Sequence, residues 1–180
     1  MTEIVWHGRG GQGAFTAARL LGIAASLYSG KFALSFPTFG PERRGAPVMG
    51  FTKIDDCRIA DRSESSAANI RIFLDKTLLD SEKAWMLHPG GLILVNSAVP
   101  VKTTINDSQV ISIDATALAL RILGIPVVNT AMLGALAGLY DVIKPEAIEK
   151  AIQSDMKPSI VQKNLLLLRE AYNLTRKEKR

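Results

Sequence analysis

Residues 7–13 read His-Gly-Arg-Gly-Gly-Gln-Gly, between the strand-like run "EIVWH" and a helix-like run rich in Ala and Leu. Gly8, Gly10 and Gly13 match the G-x-G-x-x-G spacing. Glycines set this closely let main-chain N–H groups reach a phosphate, and the start of the following helix adds partial positive charge. Arg9, Gly11 and Gln12 complete the candidate cradle. Gln12 either orients a ligand or hydrogen-bonds the loop to itself. The plain alternative is a tight strand–helix turn that binds nothing.

A second constellation follows in "SFPTFGPERRGAP" (35–47), which holds two Phe, three Pro, two Gly and the pair Arg43 and Arg44. Proline stiffens such a loop without secondary structure. Aromatic and Arg side chains on a preorganised loop suit an interface, although Phe36 and Phe39 also suit core packing. An NAD site requires an acid about 20 residues beyond the glycines, at the end of the second strand. Here that strand ends "ALSFPTFG", Glu42 is the first acid, and two arginines follow it, which argues against NAD. Two guanidiniums instead suit a ribose phosphate, as in NADP or coenzyme A. No Lys follows the glycines as in a P-loop. Asn129, closing the strand-like "VVN", is a third ligand candidate and equally a helix N-cap. His7 is the one acid–base candidate beside the glycines, and a strand-end His is commonly structural.

These residues need elements to hold them. The pattern predicts strands at 3–7, 31–36, 48–54, 69–75, 92–96 and 108–114, with a possible short strand near Arg58. Helices are expected at 14–28, in a short piece from Thr77 capped by Asp75, and at 115–123 between the Asp114 cap and Gly124. Others follow at 130–140, from Pro145 to about 152, and over roughly 159–176. "HPGG" (88–91) reads as a turn. Strands alternating with helices predict an α/β, Rossmann-like domain with a mainly parallel sheet flanked by helices. With no repeat or low-complexity linker, residues 1–180 read as one domain.

Composition narrows the function. The chain has 180 residues, 47% apolar, enough for a sizeable core. Cys57 is the single cysteine, which excludes an internal disulfide and a self-contained iron–sulfur cluster, which takes about four Cys. His7 and His88 lack ligand spacing, so no metal site is expected. The net charge of +5 resides largely in the tail "RKEKR", which reads as solvated chain and gives no reason to expect nucleic-acid binding. The opening "MTE" is unlike a secretion signal. The apolar stretch 117–140 is broken by Arg121, Pro126 and Asn129 and reads as core, not as a membrane span. A reduced, cytoplasmic setting is expected.

Taken together, "GRGGQGAFTAARLLGIAA" (8–25) and "SFPTFGPERRGAPVMGFTKI" (35–54) resemble the gamma subunit of 2-oxoacid:ferredoxin oxidoreductases, the pyruvate synthase branch most of all. "FLDKTLL" (73–79), "GGLILVNS" (90–97), "ISIDATALAL" (111–120) and "VVNTAMLGALAGL" (127–139) extend the resemblance over nearly the whole chain, with "GPERRGAP" its most specific piece. The stretch 61–75 is more polar than the family pattern. The resemblance implies a non-catalytic subunit of an enzyme that oxidatively decarboxylates pyruvate or a related 2-oxoacid to an acyl-coenzyme A. It implies thiamine diphosphate and 4Fe–4S clusters on alpha, beta and delta-type partner subunits, with electrons passing to ferredoxin. This chain is then expected to help close a shared coenzyme A site through Gly8–Gly13, Arg43, Arg44 and Asn129. The residues alone also allow a purely architectural subunit or a stand-alone NADP-binding oxidoreductase.

Overall fold

The computed structural model of the chain describes residues 1–38, 45–79, 86–101 and 108–178. Phe39, Glu42, Arg43, Arg44 and the last two residues of the basic tail lie outside them. Six strands form one sheet: β1 (Thr2–Arg9), β2 (Phe32–Pro37), β3 (Pro47–Asp55), β4 (Ala67–Phe73), β5 (Met86–Asn96) and β6 (Gln109–Ile113). Their order is β2-β3-β1-β4-β5-β6. β1, β4, β5 and β6 pair in parallel, while β3 runs antiparallel to both β1 and β2. The α/β class with a mainly parallel sheet therefore holds, with β3 the reversed strand.

Among the described residues five α-helices follow from the expected signals: α1 (Ala14–Tyr28), α2 (Ala115–Leu123), α3 (Asn129–Leu139), α4 (Pro145–Asp155) and α5 (Pro158–Glu178). The Asp114 carboxylate accepts from the Ala117 amide at 2.8 Å, and Gly124 at φ +78° ends α2. Pro145 opens α4 at a position where its missing N–H leaves no bond unmade. All five helices bury their apolar faces in one core with Ile4, Trp6, Ile70, Ile72 and Leu94 from one face of the sheet. The opposite face carries two smaller clusters, one around Phe73, Leu78 and Ile93 and one around Val5, Phe51 and Ala68.

α1 lies close on β2 and β3 where small residues meet: a Cβ on Gly22 would fall on the Ser35 hydroxyl, and one on Gly50 would stand 3.0 Å from the Ala18 Cβ. The Ser35 and Thr52 hydroxyls, from β2 and β3, both donate to the Ala18 carbonyl at 2.9 Å. α3 is buried on every side over Asn129–Gly138 and packs on α5, where a Cβ on Gly134 would fall on the Leu168 carbonyl.

Three local expectations change. "HPGG" is not a turn ahead of a strand but lies inside the eleven residues of β5. β4 pairs Ala68 with Leu87 and Ile70 with Leu92, so residues 88–91 bulge from the ladder with Gly90 at φ +74°. No strand forms near Arg58. Instead, Asp61 takes a 2.6 Å bond from the buried Lys53 ammonium, whose other partner is Glu3 at 3.1 Å, so the polar stretch is pinned over the sheet. Of the short helix expected from Thr77, the described residues hold a 3-10 turn at Lys76–Leu78, with Asp75 as its cap.

Candidate functional site

β1 ends at Arg9, where the parallel half of the sheet meets the reversed β3. The carboxyl end of a strand at such a change of direction is where α/β sheets accept ligands. The chain reaches α1 by a locked loop. The Gly10 amide donates to the Ala46 carbonyl at 2.9 Å, and the Gly45 amide donates back to Gly10 O at 3.3 Å. The Gln12 amide bonds Arg9 O at 2.9 Å, and Gln12 Oε1 accepts from the Arg9 amide at 2.7 Å. Of the two readings of Gln12, its oxygen takes the one in which the loop holds itself. Gly8 is buried beneath the loop, where an added Cβ would stand 3.2 Å from the Ala14 Cβ.

Gly11 and Gly13 adopt φ +97° and +83°, a region that favours glycine. A Cβ on Gly11 would meet nothing within 4 Å, so this face of the loop is open. No side chain caps α1, and its first turn carries no acid. The first intrahelical bond runs from the Ala17 amide to Gly13 O. The amides of Ala14, Phe15 and Thr16 therefore precede the helical ladder, have no partner among the described residues, and suit an anion.

They open on a cleft of about 460 Å³. Arg9, Gly10, Gly11, Gly13, Phe15 and Thr16 line one side, and Pro37, Thr38, Val48 and Met49 the other. Among the described residues this lining contains no carboxylate. The strand beside β1 on that side is β3, which begins there with Pro47 opposite Arg9. An antiparallel strand therefore stands where the second parallel strand of an NAD site would carry its ribose-binding acid.

Asn129 comes to the same place from the far end of the sequence. It is the first residue of α3, preceded by Val128 at the cap position, and its Oδ1 accepts from the Thr130 amide at 2.9 Å. Its side-chain amide packs against Gly13. The structure therefore joins Asn129 to the glycine loop. Arg43 and Arg44 lie outside the described residues, yet the residues flanking their segment are placed. Thr38 lines the cleft and bonds Met49 O at 3.0 Å, and Gly45 is tied to Gly10. Phe36 stacks on Phe51 at 5.0 Å between centroids, meeting the core-packing expectation for one of the two phenylalanines.

Arg9 is engaged on three sides, with Asp75, Thr77 and the Gly45 carbonyl. The Asp75 carboxyl is subject first to burial, which would raise its pKa. The hydroxyl and amide of Thr77 and the Arg9 guanidinium outweigh that and hold it below the ordinary value. A second cleft of about 500 Å³ lies across the glycine loop, lined by Gln12, Asp75, Asn96, Ser97, Asp114 and Thr116 among others. Asn96 closes its floor by donating to Leu74 O and the Thr116 hydroxyl, each at 3.0 Å. Sequence reasoning missed this side, and the signal for it was weak: Asp75 and Asp114 read only as helix caps. A larger cavity of about 900 Å³, near Tyr28, Lys144 and Tyr172, holds none of the residues singled out by motif.

His7 does not line the glycine-loop cleft. It is 1% exposed, stacks on Phe73 at 4.3 Å, and has the Arg71 guanidinium 3.3 Å from its Nε2. Burial first, then the Arg71 charge, holds its pKa well below 6.5. Among the described residues no group of three or more His, Cys, Asp or Glu could hold a metal, and no helix is long and apolar enough to cross a membrane.

The family model for pyruvate ferredoxin/flavodoxin oxidoreductase matches residues 3–174. The chain belongs to this family. Within it the likeness is to gamma-type subunits end to end, which makes this chain an oxidoreductase subunit. It is 45% identical over 175 residues to pyruvate synthase subunit PorC of Methanocaldococcus jannaschii, covering 96% of each chain. It is 41% identical to the common gamma subunit of the pyruvate/ketoisovalerate oxidoreductases of Thermococcus litoralis, covering 97% of each. The crystal structure of pyruvate oxidoreductase subunit PORC from Thermotoga maritima superimposes with a TM-score of 0.83 at 35% identity, covering 96% of this chain and 95% of that one. The matched span of this oxidoreductase family takes in the glycine loop, the Arg43–Arg44 segment and Asn129.

Proposed function

We propose that this gamma-type subunit, a single domain over residues 1–180, forms one wall of the coenzyme A site in a 2-oxoacid:ferredoxin oxidoreductase that acts on pyruvate or a related acid. Bound coenzyme A supplies the thiol that accepts the acyl group. The observation that carries the reading is the uncapped start of α1, open at Gly11 and facing a cleft whose described lining holds no carboxylate. Such a site fits a phosphate. The amides of Ala14, Phe15 and Thr16 offer donors at low steric cost, and the helix start favours negative charge.

In this reading Gly8, Gln12 and Asn129 shape the loop, and Gly10, Gly11 and Gly13 let a pyrophosphate approach. Arg43 and Arg44 supply charge-assisted bonds to the ribose phosphate. Thiamine diphosphate and the 4Fe–4S clusters belong to the alpha, beta and delta-type partners, which dock on this chain and pass electrons to ferredoxin. The chain itself performs no bond-making step.

The test is steady-state kinetics of the assembled enzyme carrying Arg43→Ala or Arg44→Ala. Loss of one charge-assisted contact is expected to raise the KM for coenzyme A by about ten- to a hundredfold while leaving that for the 2-oxoacid unchanged. Unchanged KM values for both substrates would overturn the assignment and leave an architectural subunit.

A further inference from the structure

Arg9 ends β1 beside the cleft, yet its guanidinium is committed elsewhere. Nε donates to Asp75 Oδ2 at 2.8 Å, Nη2 to the Thr77 hydroxyl at 2.9 Å and Nη1 to Gly45 O at 3.2 Å. Three segments distant in sequence therefore meet on one planar cation: the glycine loop, the turn after β4, and the entry to β3. Asp75 is itself held, because its Oδ1 accepts from the Thr77 hydroxyl at 2.7 Å and the Thr77 amide at 3.0 Å. The entry to β3 is the point at which the chain returns from the Arg43–Arg44 segment, and it is tied again to Gly10 through the Gly45 and Ala46 main chain.

Only Arg has a fork that reaches three acceptors in fixed directions; a Lys ammonium on its flexible stem does not. The clasp also decides where the positive charge of Arg9 goes. With the Asp75 carboxylate on Nε, that charge is balanced within the chain and does not serve as the main anchor of an external anion. Arg9 lines the cleft toward β3 and Asp75 the cleft toward β6, so the pair forms the partition between the two.

We propose that Asp75 is a positioning residue for coenzyme A: through Arg9 it fixes the glycine loop and the entry of β3 at the spacing that the ligand's phosphates require. This rests on the coenzyme A reading above and adds residues to which neither motif points. Arg9 then acts as the intermediary and not as a direct ligand.

The experiment uses the assembled oxidoreductase with Asp75→Asn, Arg9→Ala, the double variant, and Thr77→Val as the mildest loosening of the clasp. Asp75→Asn is expected to raise the KM for coenzyme A about five- to tenfold, with the 2-oxoacid KM and the kcat at saturating coenzyme A unchanged. The double variant should be no worse than Arg9→Ala alone, because both changes open one clasp. Asp75→Glu, which keeps the carboxylate, should recover part of the loss. If Asp75→Asn does not assemble, Thr77→Val carries the same expectation at smaller size. A coenzyme A KM within twofold of wild type overturns the proposal, as does additivity in the double variant. Arg43→Ala and Arg44→Ala separate the two failures. If they raise the coenzyme A KM and the clasp variants do not, only the clasp is wrong; if none does, the coenzyme A reading falls.

Discussion

Asn129 holds its side-chain nitrogen 2.6 Å from the point where a Cβ on Gly13 would sit. A residue of α3 thus sets the shape of a loop more than a hundred positions earlier. Gly13 also lies at φ +83°, so any side chain there meets both a backbone penalty and a neighbour.

Gly11 and Gly13 therefore separate the two effects. Gly11→Ala, in open space, should lose only the left-handed backbone term, about 1–2 kcal/mol. Gly13→Ala should lose about 1–3 kcal/mol more, through the collision with Asn129. Urea denaturation of single variants and of Gly13→Ala/Asn129→Ala measures this. An equal loss at both glycines, or no relief in the double variant, would sink the contact as the cause.

His7 gives the stability a pH dependence of defined sign. The Arg71 guanidinium only donates, so the His7 Nε2 that faces it must accept, which requires a neutral ring. With the folded pKa held below 6.5, the unfolded chain binds a proton that the folded chain does not once the pH drops beneath that value. Stability should then fall with acidification, by about 1.4 kcal/mol per pH unit, until the folded pKa is reached. Between about pH 6.5 and 5, above the carboxylate range, His7→Gln should flatten that slope. A wild-type unfolding free energy that stays level over this interval would refute the neutral, buried assignment.

Gly134 controls the packing of α3 on α5. A Cβ there would fall on the Leu168 main-chain carbonyl, and backbone cannot swing aside as a side chain can. Gly134→Ala is expected to cost about 3 kcal/mol and to lower the Tm by about 6–12 °C. A shift of under about 2 °C in differential scanning calorimetry would mean that the two helices are not in this contact.

Much of this molecule was legible one residue at a time. The glycine spacing, the caps at Asp75 and Asp114, Pro145 at a helix start and Gly124 at a helix end are short-range signals. Each depends on bonds within a few positions, which the chain makes wherever it is folded. The reversed β3 was not legible, because a strand's alternation gives its faces but not its direction. Nor was the bulge at residues 88–91, since a Pro-Gly-Gly run serves a turn or a bulge equally well.

The candidate site divides along the same line. By itself, the sequence determined that a glycine loop stands between a strand and a helix, that no Walker lysine follows it, and that the first acid after the second strand, Glu42, is followed directly by an Arg pair. Only the tertiary structure decided that Asn129 leans on Gly13, that Arg9 is clasped by Asp75 and Thr77, and that His7 is a buried neutral ring. Those contacts link residues between 64 and 116 positions apart. Local propensity carries no information over such distances; the order of the strands and the packing of α3 bring these residues within a few ångströms of one another.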